Sequence, residues 1–340
     1  MSPMNPMDSA PLLALVGPTA SGKTEAAIEV AARLSAEIVS IDSMVLYRGL
    51  DAGTATPGAA ERARVPHHLV DVADPGRPSS VAEFQRLAQE AIRDVRSRGR
   101  RVLLVGGSGL YFRAVVEGLA FPATDPHLRT ELETEAACIG PAALHERLRS
   151  FDPEAAAKID PANVRRSVRA LEVAALTGLP FSSFAADWER YPPDRVRAAG
   201  VTLPSQVLRE RIESRVRAMA EAGFLDEVRA LLDRDPSLSP TSWQAIGYAE
   251  MARHLSGELT LEEAIRATVR RTRALARRQM AWFRRDPRIR WFGAGEQGAP
   301  GIVDDLLRFL RETDARDGAN HGGAVRSGVP DGMVAAAMEV

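Results

Sequence analysis

The residues best able to do chemistry stand together near the start of the chain. Gly17, Pro18, Thr19, Ala20, Ser21, Gly22, Lys23 and Thr24 match the pattern G-x-x-x-x-G-K-[ST] in full. The two glycines let the backbone fold its N–H groups around an anion. The N-terminus of a following helix adds the positive end of a dipole. Lys23 brings a charge on a long flexible stem, and Thr24 a hydroxyl suited to Mg²⁺. Such a loop binds phosphates rather than nucleosides, so ATP is only its default ligand. A second candidate is Asp42, just after the run Glu37–Ile41. A carboxylate there would act as a base or hold Mg²⁺ through water.

Hydrophobic patterning gives the elements that must position these groups. Leu12–Val16 reads as a buried strand, and Ala26, Ala27, Val30, Ala31 and Leu34 recur on one helical face. Glu37–Ile41 reads as a second strand. In doubly wound sheets ligands lie beyond the carboxyl ends of the strands, which would bring Asp42 to the phosphate loop. Ser43–Thr56 lacks periodicity and reads as an active-site loop. Adjacent His67 and His68 would point to opposite faces of a strand, which argues against one shared metal ion. Val81–Ser97 is an amphipathic helix with Phe84, Leu87, Ala91 and Val95 on its stripe, closed by Gly99. Arg101–Val105 is a third strand. It runs into Gly106-Gly107-Ser108-Gly109, small residues that make a tight turn or leave room for a flat ligand.

From Pro122 to Tyr191 helix formers dominate, punctuated at Gly140-Pro141, Asp152-Pro153, Asp160-Pro161 and Gly178-Leu179-Pro180. Val196–Leu203 returns to the sheet. Helices follow over Gln206–Ala222, Gly223–Leu232, from Glu250 and over Leu261–Arg285, then a short strand at Trp291-Phe292 and a helix at Val303–Leu310. The helix at Leu261–Arg285 carries Arg266, Arg270, Arg271, Arg273, Arg277, Arg278, Arg284 and Arg285 around Trp282 and Phe283. That fits a nucleic-acid surface, whereas Arg165, Arg166 and Arg169, near one helical face of Asn163–Glu172, suit either a functional surface or a solvated charged face. The expected fold is α/β: a P-loop NTPase-like core with a parallel sheet over 11–121 and 195–312, and an inserted all-helical domain over 122–194. Residues 1–10 and 313–340 read as a disordered leader and tail.

The chain has 340 residues, 45% hydrophobic and 26% charged, with a formal net charge of −1. One cysteine, Cys138, excludes a disulfide scaffold or a cysteine zinc site and suits a reducing cytosol. No apolar run approaches the roughly 18 residues of a membrane span, and the first residues lack the pattern of a signal peptide. Only Lys23 and Lys158 are lysines; every other basic residue is arginine.

Taken in order, these motifs resemble the bacterial tRNA dimethylallyltransferases, or tRNA isopentenyltransferases, over about Leu12–Leu310. The resemblance rests on GPTASGKT at 17–24, IVSIDS at 38–43, YRGLDAGTATP at 47–57, PHHLVD at 66–71, LLVGGSGLYF at 103–112, RRSVRALEV at 165–173, QAIGYAE at 244–250 and RRQMAWFRR at 277–285. It implies transfer of a dimethylallyl group from dimethylallyl diphosphate to the exocyclic N6 amine of the adenosine 3′ to the tRNA anticodon. The phosphate loop then holds a diphosphate leaving group, with Mg²⁺ near Thr24. Asp42 carries over as general base, because an amine delocalised into a ring is a poor nucleophile. Thr19 would orient the amine or the diphosphate. The adenine must leave its stack to react.

By the same carry-over, tRNA-contacting positions are Asp42, Ser43, Met44, Val45, Ser108, Arg129, Arg165, Arg166, Ser167, Val168, Arg169, Gln244, Ala245, Ile246, Gly247, Tyr248, Ala249, Arg277, Arg278, Gln279, Trp282 and Arg284. The helical insertion would bind tRNA, and Arg211 and Arg215 would reach the diphosphate. The chain departs from the family at Ser108, where many members have threonine, and at Ser43–Tyr47, which lacks the glutamine of the commoner SxQVY run. The expected setting is cytoplasmic, without a membrane partner, and as a monomer. Three other readings share features. A nucleoside or small-molecule kinase would turn over ATP without tRNA. A prenylating enzyme for free adenine nucleotides would act equally on AMP and tRNA. A binding module with a vestigial phosphate loop would hold tRNA without product.

Overall fold

In the computed structural model, which describes residues 10–184, 190–234 and 237–312, the apolar run Leu12–Val16 is strand β1. After the phosphate loop come α1 (Lys23–Leu34), β2 (Ala36–Ser40), α2 (Ala59–Arg64), β3 (His67–His68), α3 (Val81–Ser97), β4 (Arg101–Gly106) and α4 (Gly109–Glu117). A helical segment follows, with α5 (Pro126–Ile139), α6 (Pro141–Phe151), α7 (Pro153–Lys158) and α8 (Val164–Thr177). Then come β5 (Val196–Thr202), α9 (Ser205–Met219), α10 (Leu225–Leu232), α11 (Tyr248–Leu255), α12 (Leu261–Phe283), β6 (Ile289–Gly293) and α13 (Val303–Arg311). Apart from Ala10, the leader and tail expected at 1–10 and 313–340 lie outside the described residues.

The six strands form one sheet in the order β3-β2-β4-β1-β5-β6, every pair parallel. This is the P-loop NTPase-like α/β arrangement. Its register matters for function. Val16 lies opposite Gly106, and Ser40 opposite Val105. The chain therefore leaves β1, β2 and β4 at one level, and the phosphate loop, Asp42 and the glycine turn emerge side by side. One sheet face packs Leu13, Leu15, Ile38, Leu103 and Val105 against Ala27, Ala31 and Leu34 of α1 and Leu306 and Leu310 of α13. A second core joins Tyr47 and Leu50 to Ile212, Val216, Phe224, Tyr248 and Ala276 of the C-terminal helices. It anchors the loop after Asp42.

By contacts the chain divides into two compact units, one running to Glu117 and resuming at Pro192, the other Gly118–Tyr191. The second unit shows why its breakers fall where they do. Asp125 caps α5 by accepting from the His127 N–H at 2.8 Å, with Pro126 in the first turn. Asp152 caps α7 through the Ala155 N–H at 3.0 Å, and Asn163 caps α8 through the Arg166 N–H at 3.2 Å. Its core gathers Leu132, Leu144, Leu148, Ala170, Leu171 and Phe181.

Two local expectations need correction. The buried stripe of α3 is Val81, Phe84, Ala88, Ile92 and Val95; Leu87 and Ala91 flank it half-exposed, since both alternatives satisfy a helical period. Gly223 does not start a helix. At φ +96° it is the kink between α9 and α10, within a wide turn over Ala220–Phe224.

Arg288 secures the place where the first unit is left and re-entered. Its guanidinium meets Glu117 at 2.6 Å and Asp286 at 2.7 Å, and donates to the Pro192 carbonyl at 3.1 Å. All three charged side chains are almost wholly buried. Arg288→Met strands two buried carboxylates and is expected to destabilise the protein by about 3–5 kcal/mol in urea unfolding. Adding Glu117→Gln should recover part of the loss. Unchanged unfolding in the single variant would show that the cluster contributes nothing net.

Candidate active site

The carboxyl ends of the strands open into a narrow cleft. Its lining combines polar side chains, Thr19, Lys23, Thr24, Ser40, Asp42, Thr54, His67, Arg215 and Gln279, with the apolar Ala27, Ile38, Val45, Pro57, Val70 and Val105.

The phosphate loop is braced on every side. Gly22 caps α1 at φ +82°, and a Cβ there would meet Pro300 Cδ at 2.8 Å. Only glycine accepts that conformation and that approach. Lys23 Nζ donates to the Pro18 carbonyl at 2.8 Å, Arg211 Nε to the Ala20 carbonyl at 2.9 Å, and the Ala299 N–H to the Ser21 carbonyl at 2.9 Å. From α12, Gln279 Oε1 accepts the Thr19 N–H at 2.8 Å. The glycine turn allows this. A Cβ on Gly107 would overlap the Gln279 amide, and one on Gly109 would lie 2.8 Å from Trp282 Cβ. At Gly107 and Gly109 the room is taken by α12, while Gly106 lines the cleft.

The two candidate arginines part company. Arg211 holds the loop from behind, with Nη1 on the Glu296 carbonyl at 3.1 Å. Arg215 lines the cleft. It donates to Thr19 Oγ1 at 3.4 Å and to the Thr54 carbonyl at 3.2 Å. Burial lowers its pKa, and Asp42 opposes that shift. Burial likewise pushes Lys23 down to about 8, with Asp42 raising it and Arg215 lowering it. Two desolvated cations thus face one carboxylate, an arrangement that an anion would relieve. Asp42 sits in a turn that fixes its carboxylate, whose Oδ1 accepts the Met44 N–H at 2.9 Å.

Sequence patterning missed the group that shapes the Thr54 loop. Glu227 of α10 accepts the N–H groups of Asp51 at 3.0 Å and Ala52 at 2.7 Å, and the Tyr248 hydroxyl at 2.6 Å. No local motif marks a glutamate that meets its partners only through the tertiary fold. Thr54 and His67 carry no local mark either: one lies in an aperiodic loop, and the other, beside His68, invites only a metal reading.

The residues carried over as RNA-contacting fall into three groups. Arg165, Gln244, Arg277, Arg278 and Arg284 are exposed, and Ser43, Met44, Ser108, Ile246, Ala249 and Trp282 half-exposed. The side chains of Val45, Arg166, Ser167, Val168, Ala245 and Tyr248 are buried, as is Gly247. They build the elements rather than face outward, because each lies on the core side of its helix or loop. Gln279 is also buried, engaged with Thr19. In the helical unit, Arg129 and Arg169 both meet the buried Glu172 at 2.7 Å. Burial alone would raise that carboxyl, but the two arginines and the Asp125 N–H hold it below the usual range. Arg169 also donates to the Ala123 and Pro122 carbonyls.

Metal donors are sparse. Among the described residues no group of three or more His, Cys, Asp or Glu side chains converges to hold an ion. Thr24 and Asp42 share the cleft. This suits Mg²⁺, which keeps several waters and takes phosphate oxygens with one or two protein ligands. Among the described residues no helix is long and apolar enough to cross a membrane.

A family model described as IPP transferase matches residues 45–286. The tRNA dimethylallyltransferases of Salinispora tropica and Salinispora arenicola are 51% and 50% identical to the chain over 300 residues. Those matches cover 88% of this chain and 92% and 86% of the relatives. Among solved structures, the full-length tRNA isopentenylpyrophosphate transferase of Bacillus halodurans is 42% identical, with a TM-score of 0.64, over 88% of this chain and 95% of its own.

The low pKa of Lys23 gives a pH test. Below about 8 the ammonium is charged in the free protein; above it the amine is neutral. Affinity for inorganic diphosphate is therefore expected to fall as pH rises through 8. Near and above that pH, binding should take up a proton. Titration calorimetry in two buffers of different ionisation enthalpy reads the uptake. Equal apparent enthalpies at pH 8.5 would remove Lys23 from the anion site.

Proposed function

This chain belongs to the IPP transferase family, and from that premise we propose that it transfers a dimethylallyl group from dimethylallyl diphosphate to N6 of the adenosine 3′ to the anticodon of tRNA. The observation that carries the reading is a cleft that holds one carboxylate, Asp42, close to two desolvated cations, Lys23 and Arg215, and that is lined by apolar side chains as well.

Asp42 accepts a proton from the N6 amine as the nitrogen attacks C1 of the donor. The N–C bond forms, the C1–O bond breaks, and the electron pair leaves on diphosphate. Lys23, Arg215 and the loop N–H groups stabilise that growing charge. Thr19 Oγ1, beside Arg215, orients the leaving group. Thr24 would help to hold a Mg²⁺, which would supply further charge neutralisation. The apolar side chains accommodate the five-carbon chain. Arg165, Arg277, Arg278 and Arg284 offer exposed charge to the RNA backbone, and the helical unit with Arg129 and Arg169 supports tRNA binding. tRNA as substrate suits the cytoplasm.

Unmodified tRNA incubated with the protein, Mg²⁺ and dimethylallyl diphosphate is expected to gain one dimethylallyl group on one adenosine, without ATP. Mass spectrometry of the nucleosides reads it as N6-dimethylallyladenosine. ATP consumption without that gain would return the loop to kinase chemistry. Asp42→Ala should lower turnover by roughly 10²–10⁴-fold, the scale of a general base, with tRNA affinity changed far less. Near-normal turnover would end the base assignment. Arg277→Ala with Arg278→Ala should weaken tRNA binding and flatten its salt dependence by about two phosphate contacts. An unaltered slope would take both from the interface.

A further inference from the structure

The cleft holds one polar group that neither the phosphate grip nor Asp42 uses. His67 lies in register beside Ile38, two residues back from Ser40 along β2, and lines the cleft with Ala27, Ile38, Val70 and Val105. Its Nδ1 lies 2.7 Å from the Val65 carbonyl, an acceptor only. That contact puts the ring proton on Nδ1 and leaves Nε2 with its lone pair. Nε2 is buried and has no hydrogen-bond partner among the described residues. Burial also lowers the ring's pKa, so it stays neutral and keeps that lone pair. Ser40 Oγ, also lining the cleft, accepts the Asp42 N–H at 3.3 Å. A desolvated acceptor in apolar surroundings is destabilising unless a donor reaches it. A dimethylallyl tail offers only C–H groups there.

Building on the transferase reading, we infer that His67 reads the far end of the prenyl donor, and that the cleft accepts a five-carbon allylic diphosphate bearing a hydroxyl on a terminal methyl. That O–H donates to Nε2. The reaction is otherwise the same: N6 bonds to C1, the C1–O bond breaks, diphosphate leaves, and the N6 proton passes to Asp42. The hydroxyl is carried unchanged into the product. An apolar pocket discriminates weakly against an added hydroxyl, whereas a site with a waiting acceptor favours it.

The test is a competition. The full-length protein and unmodified tRNA receive equal amounts of dimethylallyl diphosphate and 4-hydroxy-3-methylbut-2-enyl diphosphate, with the E and Z isomers in separate tubes. Mass spectrometry counts the two modified adenosines. For one isomer, the wild type should incorporate the hydroxylated group at least as fast as the dimethylallyl group. His67→Leu should shift that ratio roughly tenfold toward dimethylallyl, the effect of one neutral hydrogen bond. His67→Gln, which keeps an acceptor, should shift it less. Thermal unfolding screens both variants, and the wild-type ratio stands by itself if either is unfolded. Exclusion of both isomers by the wild type would overturn the inference. So would one ratio shared by all three proteins, the result expected if Nε2 merely holds a water. Transfer from neither donor would instead overturn the transferase reading beneath it.

Discussion

One hydrogen bond ties the C-terminal half of the chain to its first loop: the Thr19 N–H on Gln279 Oε1, between residues 260 positions apart. A phosphate loop works only if its backbone is held open in an anion-binding curve, a conformation with little intrinsic stability. Here the loop takes its shape from neighbours. Gln279 fixes one N–H, while Arg211, Lys23 and Ala299 occupy three carbonyls. The close seating of α12 that this requires explains the glycines at 107 and 109 better than any ligand does. Helix α12 thus shapes the site with one face while offering Arg277 and Arg278 to solvent on another.

The same economy appears around Glu227. Its carboxylate gathers the N–H groups of Asp51 and Ala52 and the Tyr248 hydroxyl. That fixes the loop whose Thr54 carbonyl accepts from Arg215. A chain of neutral and charged contacts therefore runs from the helical layer to the cation facing the cleft. Phe224 and Tyr248 pack edge to face at 5.0 Å behind it. A Cβ on Gly247 would meet Phe224 at 2.8 Å. The QAIGYAE segment reads in this light as the support of the Thr54 loop, with Gln244 its exposed member.

The parts legible in the sequence were those coded locally. Leu12–Val16, the loop glycines and the α1 stripe carry their signal within a few neighbours, and a parallel sheet then follows from alternating strands and helices. Asp42 was legible because topology, not contact, puts a strand's carboxyl end at the ligand. What stayed hidden depends on burial. Whether Arg169 faces RNA or a buried glutamate cannot be read from RRSVRALE, since both fit a helical face. Arg211 and Arg215 are one helical turn apart, yet one braces the loop and the other lines the cleft. Spacing alone cannot separate them. The orphan acceptor of His67 emerged only when its partners could be counted.

A phosphate loop commonly serves reactions that break a bond at phosphorus. Here Lys23 and Arg215 share a cleft with a carboxylate and with apolar side chains, and that setting suits a different bond. Breaking C1–O needs charge stabilisation at the departing oxygen and none at an attacked phosphorus, so a rigid cationic cradle suffices. The carbon end would gain from the opposite environment, in which Ile38, Val70 and Val105 would keep water from competing with a weak amine nucleophile. The free protein holds Lys23 and Arg215 desolvated and near each other, a conflict only partly answered by Asp42. Diphosphate relieves that conflict most fully when its charge is greatest, after the bond has broken. On the proposed reaction, preorganised repulsion in the resting cleft would in this way be converted into stabilisation of the leaving group.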